Sequence, residues 1–335
     1  MTRPNILILL PDQLRADFLG CYGAASPRTP NIDRLAAHGE TFEQAISPFP
    51  LCVPARAAML TGRSAFETGV IDNDKWLRPD RHEAGIETWP EILGRAGYHT
   101  AAIGKMHFYP WDIDEGFAER RIAEDKRHIT LEDDYAQALK SRGLRRQHGN
   151  ELQGYAETKG AGLAGLPEDL FVDRWVAEET CTFLDRQDTD KPFAAFVGFP
   201  SPHCPYDPTP EALEALDAAG LLPPIAETED SKQLRQWMIN GYSQAWADLD
   251  LTELTDTQIG AIRRHYAALI EMLDAEIGKV LDTLAASPHA KNTVVIFASD
   301  HGDFVGDYRM LGKSLFYESS VRVPLIMADM REAPA

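Results

Sequence analysis

Asn5-Ile6-Leu7-Ile8-Leu9-Leu10, followed by Pro11-Asp12-Gln13, is the stretch from which the fold reads outward. A short, nearly unbroken apolar run is what a parallel strand shows when both of its faces are covered, because neither face then selects for polar side chains. Phe193 to Phe199 and Asn292 to Ala298 have the same character, and Tyr98 to Ile103 and Val323 to Met327 complete a set of expected strands. Helical stretches separate them. Thr29-Pro30 opens a short helix through Leu35, and Pro54 sits in the first turn of one running towards Met59. Others are expected from Trp89 to Ala96 and from Glu168 to Asp185. The longest spans Thr257 to Ala286, where Ile259, Ile262, Tyr266, Leu269, Leu273, Ile277, Val280 and Leu284 recur three and four residues apart. Strands alternating with helices predict an α/β fold: a doubly wound, mostly parallel sheet with helices on both faces.

In such a sheet ligands bind beyond the carboxyl ends of the strands. Asp12 and Gln13 follow the first strand, Lys105 and His107 the one ending near Ile103, and His203 the one ending at Phe199. Asp300 and His301 follow Ala298, with Lys313 soon after. Four strands thus deliver acids, amides, imidazoles and lysines to one edge, and that edge is the predicted site. If Asp12 and Asp300 meet there, two like charges ~4 Å apart repel by about 4 kcal/mol at an effective dielectric of 20. A divalent cation removes the penalty. Oxygen donors suit calcium or magnesium, and the nitrogen of His301 admits manganese as well. The other seven histidines carry no comparable signal.

Composition narrows the partners. A formal net charge of −19 over 335 residues argues against nucleic acid and anionic membranes. No apolar run approaches a membrane span. Asn5 to Leu10 is too short for the core of a secretory leader and an acidic residue follows it, so a cytoplasmic protein is expected. The four cysteines, Cys21, Cys52, Cys181 and Cys204, form neither a Cys-x-x-Cys pair nor a disulfide framework. Residues 109–165 are charged, glycine-containing and aperiodic. They read as an insertion of loops and short helices forming a pocket wall within a single domain over residues 1–335.

One further segment gives the site a chemistry. Cys52-Val53-Pro54-Ala55-Arg56, continued by Leu60-Thr61-Gly62-Arg63, resembles the maturation signature of the type I sulfatases, formylglycine-dependent members of the alkaline phosphatase superfamily. Asn5-Ile6-Leu7 leading to Asp12, Thr29-Pro30-Asn31-Ile32-Asp33, Gly104-Lys105-Met106-His107 and Ser299-Asp300-His301-Gly302 resemble further blocks in the family's order. The resemblance implies that a formylglycine-generating enzyme oxidises Cys52 to an aldehyde whose hydrate is the nucleophile. It implies that Asp12, Gln13, Cys52, Asp300 and His301 hold one cation, that Arg56 fixes the hydrate, and that Lys105 and Lys313 hold the sulfate oxygens. On that basis Asp300 is the expected proton acceptor, His203 the acid for the leaving alcohol, and His107 the aid to sulfate release. Asn73 resembles a pocket asparagine of the family and reads equally as a turn residue.

Two departures qualify this. Asp12-Gln13 and Asp300-His301 stand where many sulfatases have Asp-Asp and Asp-Asn, a combination closer to choline sulfatases and phosphonate monoester hydrolases. The usual C-terminal subdomain is also expected to be missing. The leading expectation is a sulfuric ester hydrolase acting on a small-molecule sulfate ester, with a homo-oligomer left open. The alternatives are a phosphonate monoester or phosphodiester hydrolase on the same scaffold, and a catalytically silent binding or assembly protein.

Overall fold

The computed structural model describes residues 3–239 and 249–331. Seven strands form one sheet: β1 (Asn5–Asp12), β2 (Glu40–Thr41), β3 (His99–Gly104), β4 (Glu119–Ile122), β5 (Phe193–Pro202), β6 (Thr293–Ala298) and β7 (Leu325–Asp329). Their order is β2-β7-β6-β1-β5-β3-β4. The run from β6 to β4 is parallel throughout, whereas β7 pairs antiparallel with both β6 and β2.

The apolar runs sit where continuous burial requires them. β1 and β5 are central, and every residue of β5 is buried. Alternate residues serve opposite faces. Leu7, Leu9, Ala101, Ile103, Ala195 and Val197 join one core with the helices α4 (Val172–Asp185) and α5 (Asp256–Ala286), against which α1 (Pro30–Ala37) also packs. Leu10, Ala102 and Phe196 join the other, with Leu60 of α2 (Cys52–Thr61) and Trp89 of α3 (Trp89–Arg95). Both faces are therefore covered, as expected. Among the described residues no helix is long and apolar enough to cross a membrane.

The structure corrects two expectations. Residues 109–165 are not wholly an insertion, because they supply β4, the outer edge strand. Its Glu-Arg-Arg-Ile sequence hides it. An edge strand has a solvent side, and Arg121 there bonds Glu179 at 2.7 Å and Asp134 at 3.0 Å. The final strand starts at Leu325 rather than Val323 and runs against its neighbours.

Backbone irregularities at the strand ends aim the side chains beyond them. The β1–β5 register shifts between Pro11 and Asp12, so Asp12 lies opposite Pro202 rather than the residue after Phe199. Gly104 has φ +82 and its missing Cβ would lie 2.0 Å from the Gly198 carbonyl oxygen, while a Cβ on Gly198 would lie 2.0 Å from that of Lys105. Only glycines let the chain turn there, and the turn sends Lys105 inward.

Candidate active site

α2 carries two residues of the site on one face, one turn apart: Cys52 and Arg56. The helix has no side-chain cap at Leu51; instead Asn73 Oδ1 accepts from the Val53 N–H at 3.0 Å. Asn73 therefore fixes the start of the helix that bears Cys52. Both Cys52 and Arg56 are buried. Arg56 ties together three strand ends: Nε donates to Asp300 Oδ2 at 2.9 Å, Nη1 donates to the Lys105 carbonyl at 2.6 Å, and Nη2 lies 3.7 Å from Asp12 Oδ2. Burial opposes its charge, but Asp300 and Asp12 outweigh burial and raise its pKa.

Asp12, Cys52, Asp300 and His301 converge as expected, with one potential ligand atom from each lying within 4.8 Å of the others. His301 Nε2 is 3.1 Å from Cys52 Sγ, 3.8 Å from Asp12 and 3.9 Å from Asp300. His301 Nδ1 faces the Gly302 carbonyl at 2.9 Å, which makes Nδ1 a donor and turns Nε2 to the cluster. Burial lowers the His301 pKa, but Asp300 and Cys52 raise it above the ordinary value, so Nε2 would have to give up a proton to become a ligand. Burial and the Asp300 charge raise the Asp12 pKa, but Lys105 and, less strongly, Arg56 prevail and hold it below the usual range. Asp12 Oδ2 touches Lys105 yet accepts no hydrogen bond in good geometry. Two buried carboxylates, one under-coordinated oxygen and an oriented imidazole are a donor set that fits a hard or borderline divalent cation. Burial and Asp12 push the Cys52 thiol up, but Lys313, His301 and Lys105 bring it below its ordinary pKa.

Gln13 adopts φ 69 and donates its backbone N–H to Asp300 Oδ1 at 3.0 Å. Its side-chain oxygen accepts from Lys313 and its amide nitrogen donates to Asp303. Lys313 Nζ also donates to His203 Nε2 at 2.6 Å, while His203 Nδ1 faces the Cys204 carbonyl at 2.7 Å. Burial and then Lys313 and Arg127 push the His203 pKa well down, so its ring is neutral. As an acid, His203 must draw its proton from Lys313. Asp300 is also unsuited to its expected role as a base. Oδ1 accepts from the Gln13 and His301 N–H groups, both at 3.0 Å, and Oδ2 from Arg56. Although burial raises its pKa, His301, Arg56 and Lys105 hold it below the carboxylate range. Its charge is fixed in place, and it belongs to the group of residues that could hold a cation.

Lys105 joins Asp12 to Asp125, whose Oδ2 is 2.6 Å away. Asp125 in turn takes both forks of Arg127, at 2.9 and 2.8 Å, and lies 4.0 Å from His203. Sequence reasoning missed Asp125, although Glu124-Asp125-Lys126-Arg127-His128 is an ionisable run directly after a strand end. It also missed Asp303, which holds Gln13 and accepts from Tyr206 at 2.5 Å. The His107 ring is buried, and Lys105, Asp125 and Arg56 are among the charges that act on it. It packs edge-on against His128 at 5.5 Å and lines a neighbouring cavity.

Behind that turn, Glu124 accepts from the His107 N–H at 2.9 Å. Burial raises the Glu124 carboxyl from 4.5 to about 7 against the pull of His107, Lys105 and Arg56. A pKa raised on folding stabilises the fold below about pH 4.5, and that stability is lost as pH rises through 7. Glu124→Gln keeps an acceptor but cannot ionise. Relative to wild type, it should gain up to about 3 kcal/mol between pH 4.5 and 8, read by urea denaturation. Parallel pH profiles for the two proteins would contradict the assignment.

Residues 4–335 match the sulfatase family. The chain is 29% identical to an arylsulfatase of Clostridium perfringens, covering 98% of this chain and 69% of that protein. It is 30% identical to a choline-sulfatase of Rhizobium meliloti, covering 99% and 64%. Among solved structures, the phosphonate monoester hydrolase of Agrobacterium radiobacter superposes with a TM-score of 0.83 at 25% identity, covering 98% and 68%. The chain thus spans about two thirds of the length of these relatives.

Proposed function

We propose that this chain, which belongs to the sulfatase family, hydrolyses small-molecule sulfate esters at the edge where β1, β3, β5 and β6 end. The observation that carries the reading is Cys52 at the start of α2, 3.1 Å from His301 and 3.9 Å from Asp12, with Arg56 and Asp300 behind it. Maturation of Cys52 by a formylglycine-generating enzyme would supply an aldehyde hydrate with one hydroxyl to attack sulfur and a second to release sulfate. A cation held by Asp12, Asp300, His301 and residue 52, with Gln13 beside them, would supply Lewis acidity and offset charge on the sulfuryl oxygens. Calcium is the first choice, with manganese and magnesium as alternatives.

The chain's own residues do the rest. Arg56 holds Asp300 and Asp12 in place, and Lys105 and Lys313 present ammonium groups to the sulfuryl oxygens. Lys313, donating to His203, is a proton reserve from which His203 protonates the leaving alcohol. Lys105→Ala should lower kcat about 10²–10³-fold, because it deletes one of these cations and leaves Asp12 and Asp125 unbridged. Steady-state kinetics on an aryl sulfate would check this; a change under about threefold would remove Lys105 from the chemistry.

A cytoplasmic setting belongs to the same proposal, supported by Cys21, Cys181 and Cys204, none of which is in a disulfide. The second reading, a phosphonate monoester hydrolase, is favoured by the superposition on the enzyme of that name and by Asp12-Gln13. Peptide mass spectrometry at position 52, followed by rates on an aryl sulfate and an aryl phosphonate monoester, tests both. A thiol at 52 in active protein would end the aldehyde scheme. A phosphonate preference would favour the second reading.

A further inference from the structure

Residues 107–111, 124 and 127–131 line a cavity of about 370 Å³ beside the candidate active site. The two are joined by one ion-pair chain: Lys105 to Asp125 at 2.6 Å, and Asp125 to Arg127, which lines the cavity. Tyr109, Trp111, Ile129 and Leu131 give it aromatic and aliphatic walls. The His107 ring also lines it, buried, with Nδ1 lacking any hydrogen-bond partner. A volume of this size accommodates a single ring with a few polar atoms.

Its charge is as informative as its shape. Arg127 is the one lysine or arginine among the lining residues, and its guanidinium is already held by both oxygens of Asp125. Glu124 brings a further carboxyl. His107 and His128 are kept neutral, chiefly by burial and with the help of Lys105. A second anionic group on the substrate would find no uncommitted cation there, and desolvating it unpaired is unfavourable.

The geometry points to this cavity as the seat of the alcohol part of the substrate, and to an alcohol that carries an uncharged ring rather than a carboxylate or second sulfate. This rests on reading the neighbouring site as a sulfate-ester hydrolase. Trp111 and Tyr109 give such a ring aromatic neighbours, and the buried His107 Nδ1 offers it one polar contact.

The test uses two esters of similar leaving ability that differ in charge, 3-carbamoylphenyl sulfate and 3-carboxyphenyl sulfate. The matured protein should prefer the amide by about tenfold or more in kcat/KM. Ile129→Lys, at a half-open position of the wall, should raise the carboxylate ester alone and narrow that gap to about threefold. Equal kcat/KM values for the two esters, or an Ile129→Lys that leaves their ratio unchanged, would overturn the proposal. If neither ester is cleaved, the hydrolase reading fails on its own account. Calorimetry with 3-hydroxybenzamide and 3-hydroxybenzoate then decides the cavity: binding of the amide alone upholds it, and equal binding or none rejects it.

Discussion

Replacing Cys52 by alanine is expected to abolish turnover, by a factor on the order of 10⁴ or more, while leaving the fold intact. The side chain is buried at the first position of α2, so alanine preserves the helix and deletes one atom from a polar cluster. The thermal midpoint should move by no more than about 3 °C. The loss is chemical, because Arg56, Lys105, Lys313 and His301 keep their other partners and only the thiol, whose oxidation would turn Cβ into the aldehyde carbon, is gone. Cys52→Ser sharpens the test. Its single hydroxyl can attack sulfur once, but nothing on the same carbon then expels sulfate, so the variant should stall. Full turnover by either variant would refute a nucleophile at residue 52.

Much of this arrangement was legible in the sequence, and the reason is geometric. Parallel strands buried on both faces leave an apolar signature, and their carboxyl ends are fixed by where that signature stops. Asp12, Lys105, His203 and Asp300 could therefore be gathered to one edge without knowing the strand order. What was illegible depends on contacts between distant segments or on backbone groups. β4 escaped because an edge strand made of Glu119, Arg120, Arg121 and Ile122 has a solvent side and no apolar run. Asp125 and Asp303 act by holding other side chains, Lys105 and Arg127 in one case and Gln13 and Tyr206 in the other. Such roles follow from packing, not spacing. Asn73 was readable as a pocket residue or a turn residue, and its contact with the Val53 N–H is a third option that no local pattern encodes. Asp300 is poorly placed as a base for a related reason: the Gln13 and His301 N–H groups and Arg56 occupy three of its acceptor sites and stabilise its charge.

That crowding sets up the second large effect. In wild type, a binding cation stabilises the folded chain by about 2.7 kcal/mol at a free concentration one hundred times Kd. For a chain of this length that corresponds to a rise of about 4 °C in thermal midpoint. Asp300→Asn removes one of the two carboxylates that make such binding favourable. The asparagine oxygen still accepts from Gln13 and His301, but its NH₂ group faces the Arg56 Nε–H, donor against donor. The cation-free variant should therefore be somewhat less stable than wild type, and it should lose the calcium-dependent rise altogether. Turnover should fall by about 10³ or more, since the charge that offsets the sulfuryl oxygens is no longer held. Calorimetric melts with calcium, manganese and magnesium read the binding directly, independent of catalysis. A variant that keeps the full cation-dependent rise would show that Asp300 is not a ligand. A wild type that shows no rise with any of the three would mean that Lys105 and Arg56 neutralise Asp12 and Asp300 without help, and that the donor set serves the fold alone.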